Sequence, residues 1–212
     1  MTSADSTPSE GAGVRGRLLE AAALLLDEEG PSSLSARRIA KEAGTSTMAV
    51  YTHFGGMPAL VREIVVEGFR RFGEHVTGVP TTDDPAGDLV SMAFLYRENA
   101  LANPHLYSVM FGATSLGGYR LAPEEREVGR YTFEVLVDAV SRAMESGDIH
   151  RGDPGPVAEQ LWAAMHGFVM LELAGLHPVS KDPPEQVLRP LMTSLVAGLG
   201  PAATRPSTQA HA

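Results

Sequence analysis

Apolar residues return every three or four positions along almost the whole chain, and no run alternates with the period of two, bounded by hairpin turns, that a half-buried strand requires. That spacing restricts the chain to an all-α fold, because a stripe with helical period drifts off one face of a pleated strand within a few residues. Interruptions cut the pattern into about nine helices. The first is expected from about Gly13 to Glu29, where Leu18, Ala22, Leu25 and Leu26 share a stripe and Gly30-Pro31 ends it. A short second helix is expected over 35–43, with Ile39, Ala40 and Ala43 inward and Gly44 supplying a left-handed exit. A third, 46–53, is about two turns long and can be capped by Ser46; a fourth starts at Met57 and ends near 72 or 75, with Pro58 in the tolerant first turn.

The stretch TGVPTTDDP at 77–85 breaks the periodicity and marks a boundary region. Beyond it, Asp-Pro pairs announce helices, the acid as N-cap and the proline as first helical residue: Asp84-Pro85, Asp153-Pro154 and Asp182-Pro183. Helices are expected over roughly 84–103, 104–111, 123–147, 154–176 and 183–199, with a loop at 112–122. The organisation that follows is a disordered tail at 1–12, a helix-turn-helix domain at 13–76, a second helical domain at 77–200 and a disordered tail at 201–212.

The absence of cysteine excludes a disulfide framework and a thiolate metal site. No cofactor and no metal are expected. The first dozen residues lack the apolar core of a secretory signal, and the longest apolar run, 161–176, is broken by His166 and Glu172 and falls short of the roughly 20 residues that span a bilayer. A cytoplasmic protein without a membrane partner is expected. The net charge of −9 argues against nucleic-acid binding by bulk attraction. Between Leu34 and Phe54, however, Arg37, Arg38 and Lys41 oppose Glu42 alone. A small basic patch on an acidic molecule would bind DNA through particular contacts.

Two short helices joined by a tight glycine turn and preceded by a supporting helix form the geometry that delivers the second helix into a major groove. On the third helix, Thr47, Met48, Tyr51 and Thr52 span one arc, while Ala49, Val50 and His53 lie opposite. Hydroxyls and a tyrosine can bond phosphates, and the methyls of Thr47 and Met48 can touch thymine methyl groups. Taken alone, the arc reads as well as an ordinary polar helix face.

The run LLEAAALLLDEEGPSSLSARRIAKEAGTSTMAVYTHFGGMPAL, from Leu18 to Leu60, resembles the N-terminal DNA-binding domain of the TetR family of bacterial repressors. SARRIAKEAGTS and VYTHF are its most telling pieces. NPHLYSVMFG at 103–112 and WAAMHGFVMLELAG at 162–175 resemble the C-terminal domain of a TetR subgroup with a Trp-His-Gly signature. The resemblance implies an all-α homodimer whose N-terminal heads read two half-sites of a palindromic double-stranded DNA operator, coupled to a C-terminal pocket for a small apolar or amphipathic effector. It implies a ligand-responsive repressor, with an activator using the same head, or a helical adaptor that binds no DNA, as alternatives. Arg37 matches a position that reaches a base or phosphate; Thr47 and Met48 match base-facing positions; Ser46, Tyr51 and His53 match phosphate or groove contacts. Where the family carries a phosphate-binding lysine at the start of the fourth helix, this chain has Met57, so that contact is lost or passes to the helix N-terminus or Arg62. Arg15 and Arg17 could reach phosphates or the minor groove, or be solvated surface.

In the second half, Trp162, His166, Val169 and Leu173 make one stripe of the helix over 154–176, and Leu161, Met165 and Phe168 a neighbouring one, so this helix is buried against more than one element. Leu161, Met165 and Phe168, with Leu188, Leu191, Met192, Leu195 and Leu199 of the last helix, are the expected dimerisation residues. Candidate effector contacts are Met92, Tyr96, Tyr107, Met110 and Phe111, together with Phe133, Trp162, His166 and Met170, since methionines and aromatics with a few polar tips suit an adaptable apolar site. Each is also an ordinary core residue at helical spacing. His166 could orient a ligand or be a hydrogen-bonded core histidine, and Glu172 could be paired, exposed or at a pocket mouth. The chain carries no HExxH, P-loop, GxGxxG or GxSxG, and acids such as Asp83-Asp84 and Glu124-Glu125 sit at helix starts, where the macrodipole explains them. An enzyme is not expected.

Overall fold

The computed structural model describes residues 8–78, 81–111, 127 and 129–200, and the fold is all-α, with nine α-helices among the described residues. They are α1 (Pro8–Glu29), α2 (Ala36–Glu42), α3 (Thr47–Phe54), α4 (Met57–Thr77), α5 (Pro85–Ala102), α6 (Pro104–Met110), α7 (Arg130–Ser146), α8 (Pro154–Leu173) and α9 (Arg189–Gly198). The expected loop at 112–122, the start of a helix at 123 and the tail from 201 lie outside the described residues, as do residues 1–7 of the expected N-terminal tail. Residues 8–12 of that tail are helical, so α1 begins five residues before Gly13. The helix expected from 183 opens instead as a π-helical turn, Pro184–Leu188, before α9. Pro190 has no N–H to give the carbonyl four residues back, which removes an α-type bond from this stretch.

The chain divides into two compact units, and the division falls within α4, α5 and α7. One unit holds residues up to His75 together with Asn99–Thr132, the other Val76–Glu98 and the chain from Phe133 onward. In the first, α1, α2 and α3 pack mutually and α6 lies against α1, which is why residues beyond Asn99 join this unit. Its core is Leu18, Leu26, Ile39, Val50 and Leu60, each at most 1% exposed. Gly68 of α4 allows α6 to come close, since a Cβ there would stand 2.8 Å from the Met110 sulfur.

Two turns set the geometry of the head. Ser33 Oγ donates to the carbonyls of Leu25 and Gly30, and Ser35 accepts from the Arg38 N–H at 3.3 Å to cap α2. At the far end of α2, Gly44 takes φ +62°, and the Thr45 N–H bonds the Ala40 carbonyl at 2.8 Å, which satisfies the helix end while reversing the chain into α3.

In the second unit α8 packs on α9, and Leu89, Val140, Leu161, Leu188 and Met192 have no exposed surface. Asp84 accepts from the Gly87 N–H at 2.9 Å and Asp153 from the Gly155 N–H at 3.0 Å, as N-caps ahead of proline should. His150 gives both its backbone N–H and Nδ1–H to the Leu199 carbonyl, fastening the end of α9.

Candidate functional site

The arc expected on the third helix stands in solvent. Thr47, Met48, Tyr51 and Thr52 are exposed, Met48 at 69% and Tyr51 at 52%, while Val50 and Phe54 on the other side are buried. A short helix anchored by two apolar side chains and presenting a large methionine and a tyrosine to water leaves that surface for something other than the unit's own core. Ser46 occupies the N-cap position of α3 but its side chain caps nothing, contrary to expectation, so the hydroxyl stays available to an outside acceptor. Thr52 differs: its hydroxyl donates to the Met48 carbonyl at 3.0 Å, so its proton is spent within the helix. His53 is half-buried, on the side away from the arc.

The basic patch is smaller than its composition. Arg38 forms a two-pronged pair with Glu29, which lowers the carboxyl pKa and raises that of the guanidinium through the hydrogen bonds they share. Arg37 and Lys41 are exposed and make no hydrogen bond or ion pair among the described residues. Met57 is half-buried at the first position of α4.

Arg15 and Arg17 make contacts within the unit that the sequence did not suggest. Both sit within α1, Arg15 half-buried and Arg17 exposed. The Arg15 guanidinium lies over the Phe54 ring, 5.0 Å from its centroid, and its Nη2 is 2.8 Å from Glu63 Oε1, which joins α1, the end of α3 and α4. Arg17 Nε donates to the Ala43 carbonyl at 3.4 Å, at the turn between α2 and α3. These contacts seat the exposed helix, and nothing local in sequence announces them.

The aromatic candidates separate. Tyr96 Oη lies 3.0 Å from His166 Nδ1 and accepts from Trp162 Nε1 at 3.3 Å, while Phe133 meets Trp162 edge-on with centroids 6.1 Å apart. Burial lowers the His166 pKa, which favours the uncharged ring. Beside this group Arg97 holds Glu172 in a bidentate pair, both bonds 2.7 Å, with side chains only 20% and 15% exposed, which settles Glu172 as paired. Met170 is half-buried, and Met92 lines a cavity near the end of α4. Tyr107, Met110 and Phe111 belong to the N-terminal unit, where Phe111 meets Phe69 edge-on and Tyr107 at a tilt.

The apolar stripes expected at a dimer interface face inward. Leu161, Met165, Phe168, Leu188 and Met192 are at most 3% exposed and Leu199 9%, all within their own unit, so they offer a second subunit no surface; Leu195 is half-buried and Leu191 40% exposed. The reason is physical: a helix apolar on most sides gives its strongest stripe to its own core. Exposed on α8 are Pro156, Glu159, Gln160, Trp162, Ala163, Gly167 and Leu171, and on α9 Arg189, Pro190, Leu191, Thr193, Ser194, Ala197 and Gly198. A Cβ on Gly167 would meet nothing within 4 Å.

The comparisons with known proteins agree with this geometry. Residues 18–64 match the family described as bacterial regulatory proteins, tetR family, and residues 89–195 match the tetracyclin repressor-like C-terminal domain. An uncharacterized HTH-type transcriptional regulator of Mycobacterium tuberculosis, Rv0681, is 28% identical over 165 residues, 76% of this chain and 71% of that protein. Among solved structures, a protein of unknown function from Rhodococcus sp. RHA1 superposes with a TM-score of 0.76 at 27% identity, covering 89% of this chain and 96% of that one. The TetR family transcriptional regulator PfmR from Thermus thermophilus shares the fold, with a TM-score of 0.62 at 22% identity over 87% of this chain and all of its own.

Proposed function

The chain belongs to the TetR family of bacterial regulatory proteins and is a DNA-binding transcriptional regulator, and from that premise we propose that it is a ligand-responsive repressor that binds a palindromic operator as a homodimer. The observation that carries the reading is the outward arc of α3, held from behind by Val50 and Phe54 and flanked by the unpaired Arg37 and Lys41. In this reading Thr47 and Met48 meet base edges, Ser46, Tyr51 and Arg37 donate to phosphates, Thr52, its hydroxyl engaged within α3, offers only its methyl group, and His53 supports the helix from behind the arc. The site of action is the cytoplasm, where the operator is. Among the described residues no helix is long and apolar enough to cross a membrane.

Gly167 supports the dimer. An exposed glycine in the middle of α8 costs about 1 kcal/mol relative to alanine, and nothing in the subunit requires it, because the space around it is open. A second subunit approaching along the small-residue faces of α8 and α9 supplies the requirement. The effector, a small apolar or amphipathic molecule, is placed in the C-terminal unit beside Tyr96, Phe133, Trp162 and His166. An effector that prefers one spacing of the two heads over another shifts the population and thereby operator affinity.

The test is selection from random duplexes with the purified chain. A near-palindrome with half-site centres one helical turn, about 34 Å, or a multiple apart is expected, and recovery of no enriched sequence refutes the reading. Gly167→Glu should leave thermal stability unchanged or raised yet yield monomers in light scattering; an intact dimer would move the interface elsewhere.

A further inference from the structure

The C-terminal unit holds a cavity of about 320 Å³ at the last turn of α4, between α5 and α7, at the low end of the roughly 300–1,000 Å³ of small-molecule sites. Val76, Met92 and Val135 give it an apolar wall, and three charged residues line the remainder: Asp88, Asp138 and Arg142. We propose that this cavity binds a small organic cation, an ammonium group on a compact apolar body, with Asp138 as its counter-ion. That it binds such a molecule stands alone; any effect on DNA binding rests on the ligand-responsive reading.

The charges decide the sign. Asp88 is 4% exposed and fully engaged: Oδ1 accepts from the Thr82 hydroxyl at 2.7 Å, and Oδ2 from the Thr82 N–H at 3.0 Å and Arg142 Nη2 at 2.6 Å. Burial works against its charge, but the Thr82 bonds and the guanidinium outweigh it and hold the carboxyl below its ordinary pKa. Arg142 is therefore neutralised by Asp88. Asp138 stands one helical turn before Arg142, at the spacing where the two would pair, yet Arg142 is turned away to Asp88 and Asp138 makes no ion pair or hydrogen bond among the described residues. The lining thus carries one uncompensated negative charge. An anion would face Asp138 and could claim Arg142 fully only by stranding a charged, buried Asp88, which is the costlier arrangement. A neutral ligand would leave Asp138 as it is. An ammonium completes the set, and its apolar body covers Val76, Met92 and Val135.

Val76 and Thr77 end the helix that starts at Met57, shortly after the recognition helix, so an occupant touches the element that follows the reading head in the chain. The probes are benzylammonium, benzyl alcohol and benzoate, nearly equal in shape and different in charge, titrated calorimetrically into the full-length protein. Methyl-labelled methionine NMR, with Met92→Leu for assignment, reports occupancy. Saturable benzylammonium binding that shifts the Met92 methyl is expected, at least tenfold tighter than either analogue. Asp138→Asn, at an exposed position, should weaken it at least tenfold without moving the melting transition. Equal or tighter benzoate binding, an unaffected Asp138→Asn variant, or heat with the Met92 methyl unmoved overturns the proposal. Titrating the selected operator in the same preparations separates the failures. Protein that binds operator and ignores benzylammonium refutes the cavity ligand alone, and protein that retrieves no operator refutes the regulator and leaves the cavity result standing.

Discussion

Replacing Arg15 by methionine removes the guanidinium from above Phe54 and from beside Glu63 while keeping a long apolar stem on α1. A cation over an aromatic ring at a partly exposed site is worth about 0.5–1 kcal/mol. The ion pair, with both side chains 41% exposed, adds between nothing and about 1 kcal/mol after solvent screening. The clamp is thus worth about 1 kcal/mol, or about fivefold in an equilibrium constant. Because Phe54 closes the recognition helix, that energy is spent on holding α3 at its angle, and operator affinity should fall by at most about fivefold, with the melting temperature down by about 2–4 °C. The assay is anisotropy of labelled operator across a salt series. Each phosphate contact contributes about 0.9 to the slope of log K against log salt. An arginine that only positions α3 leaves the slope unchanged as affinity drops, and Arg15→Lys, without the planar group, should recover part of the loss. A slope reduced by about 0.9 would make Arg15 a phosphate ligand, and unchanged affinity would remove it from the site.

Three further outcomes follow from the same coordinates. Arg97→Met strands the Glu172 carboxylate in a pocket where it is only 15% exposed, so urea unfolding should show a loss of about 3 kcal/mol, largely regained in Arg97→Met/Glu172→Leu; equal losses in both would deny that the stranded charge is the cause. His166 has its pKa depressed by burial, so the unfolded chain takes up its proton first: its contribution is intact above the unfolded value near 6.5 and declines as pH falls below it. The melting temperature should therefore drop between about pH 7.5 and 5.5 by less in His166→Asn than in the parent, and identical pH profiles would contradict this. Gly44→Ala should cost about 1 kcal/mol from backbone alone, since φ is +62° and a Cβ there meets nothing within 4 Å, with Gly44→Asn milder; a neutral Gly44→Ala would mean the turn relaxes.

Features governed by near neighbours were legible in the residues. The Asp84 and Asp153 caps, the Gly44 exit and the two-sided division of α3 each depend on side chains within one turn, and each stands where spacing places it. The start of α1 was not, because PSEGAG carries no apolar stripe; extending a helix already nucleated by Leu18 to Leu26 needs no stripe of its own. Arg15, Arg17 and the pairing of Arg97 with Glu172 escaped for a different reason. Their partners lie on other helices, and a charged residue on an amphipathic helix reads as solvated until the neighbouring element is known.

The stripe expected at a dimer face shows where periodicity misleads in a particular direction. Ranking the sides of α8 by apolar content selects Leu161, Met165 and Phe168, and the fold applies the same ranking, assigning that side to the subunit's own core. A surface that must tolerate water before a partner arrives cannot be the most apolar one, and the exposed side of α8 sets Ala163 and Gly167 among larger groups such as Trp162 and Leu171. Small residues also let two helices approach to the short end of the roughly 8–10 Å range, so close packing substitutes for large side chains. In the homodimer proposed above, the face of α8 left for a second copy is therefore the weaker stripe, the one with Gly167.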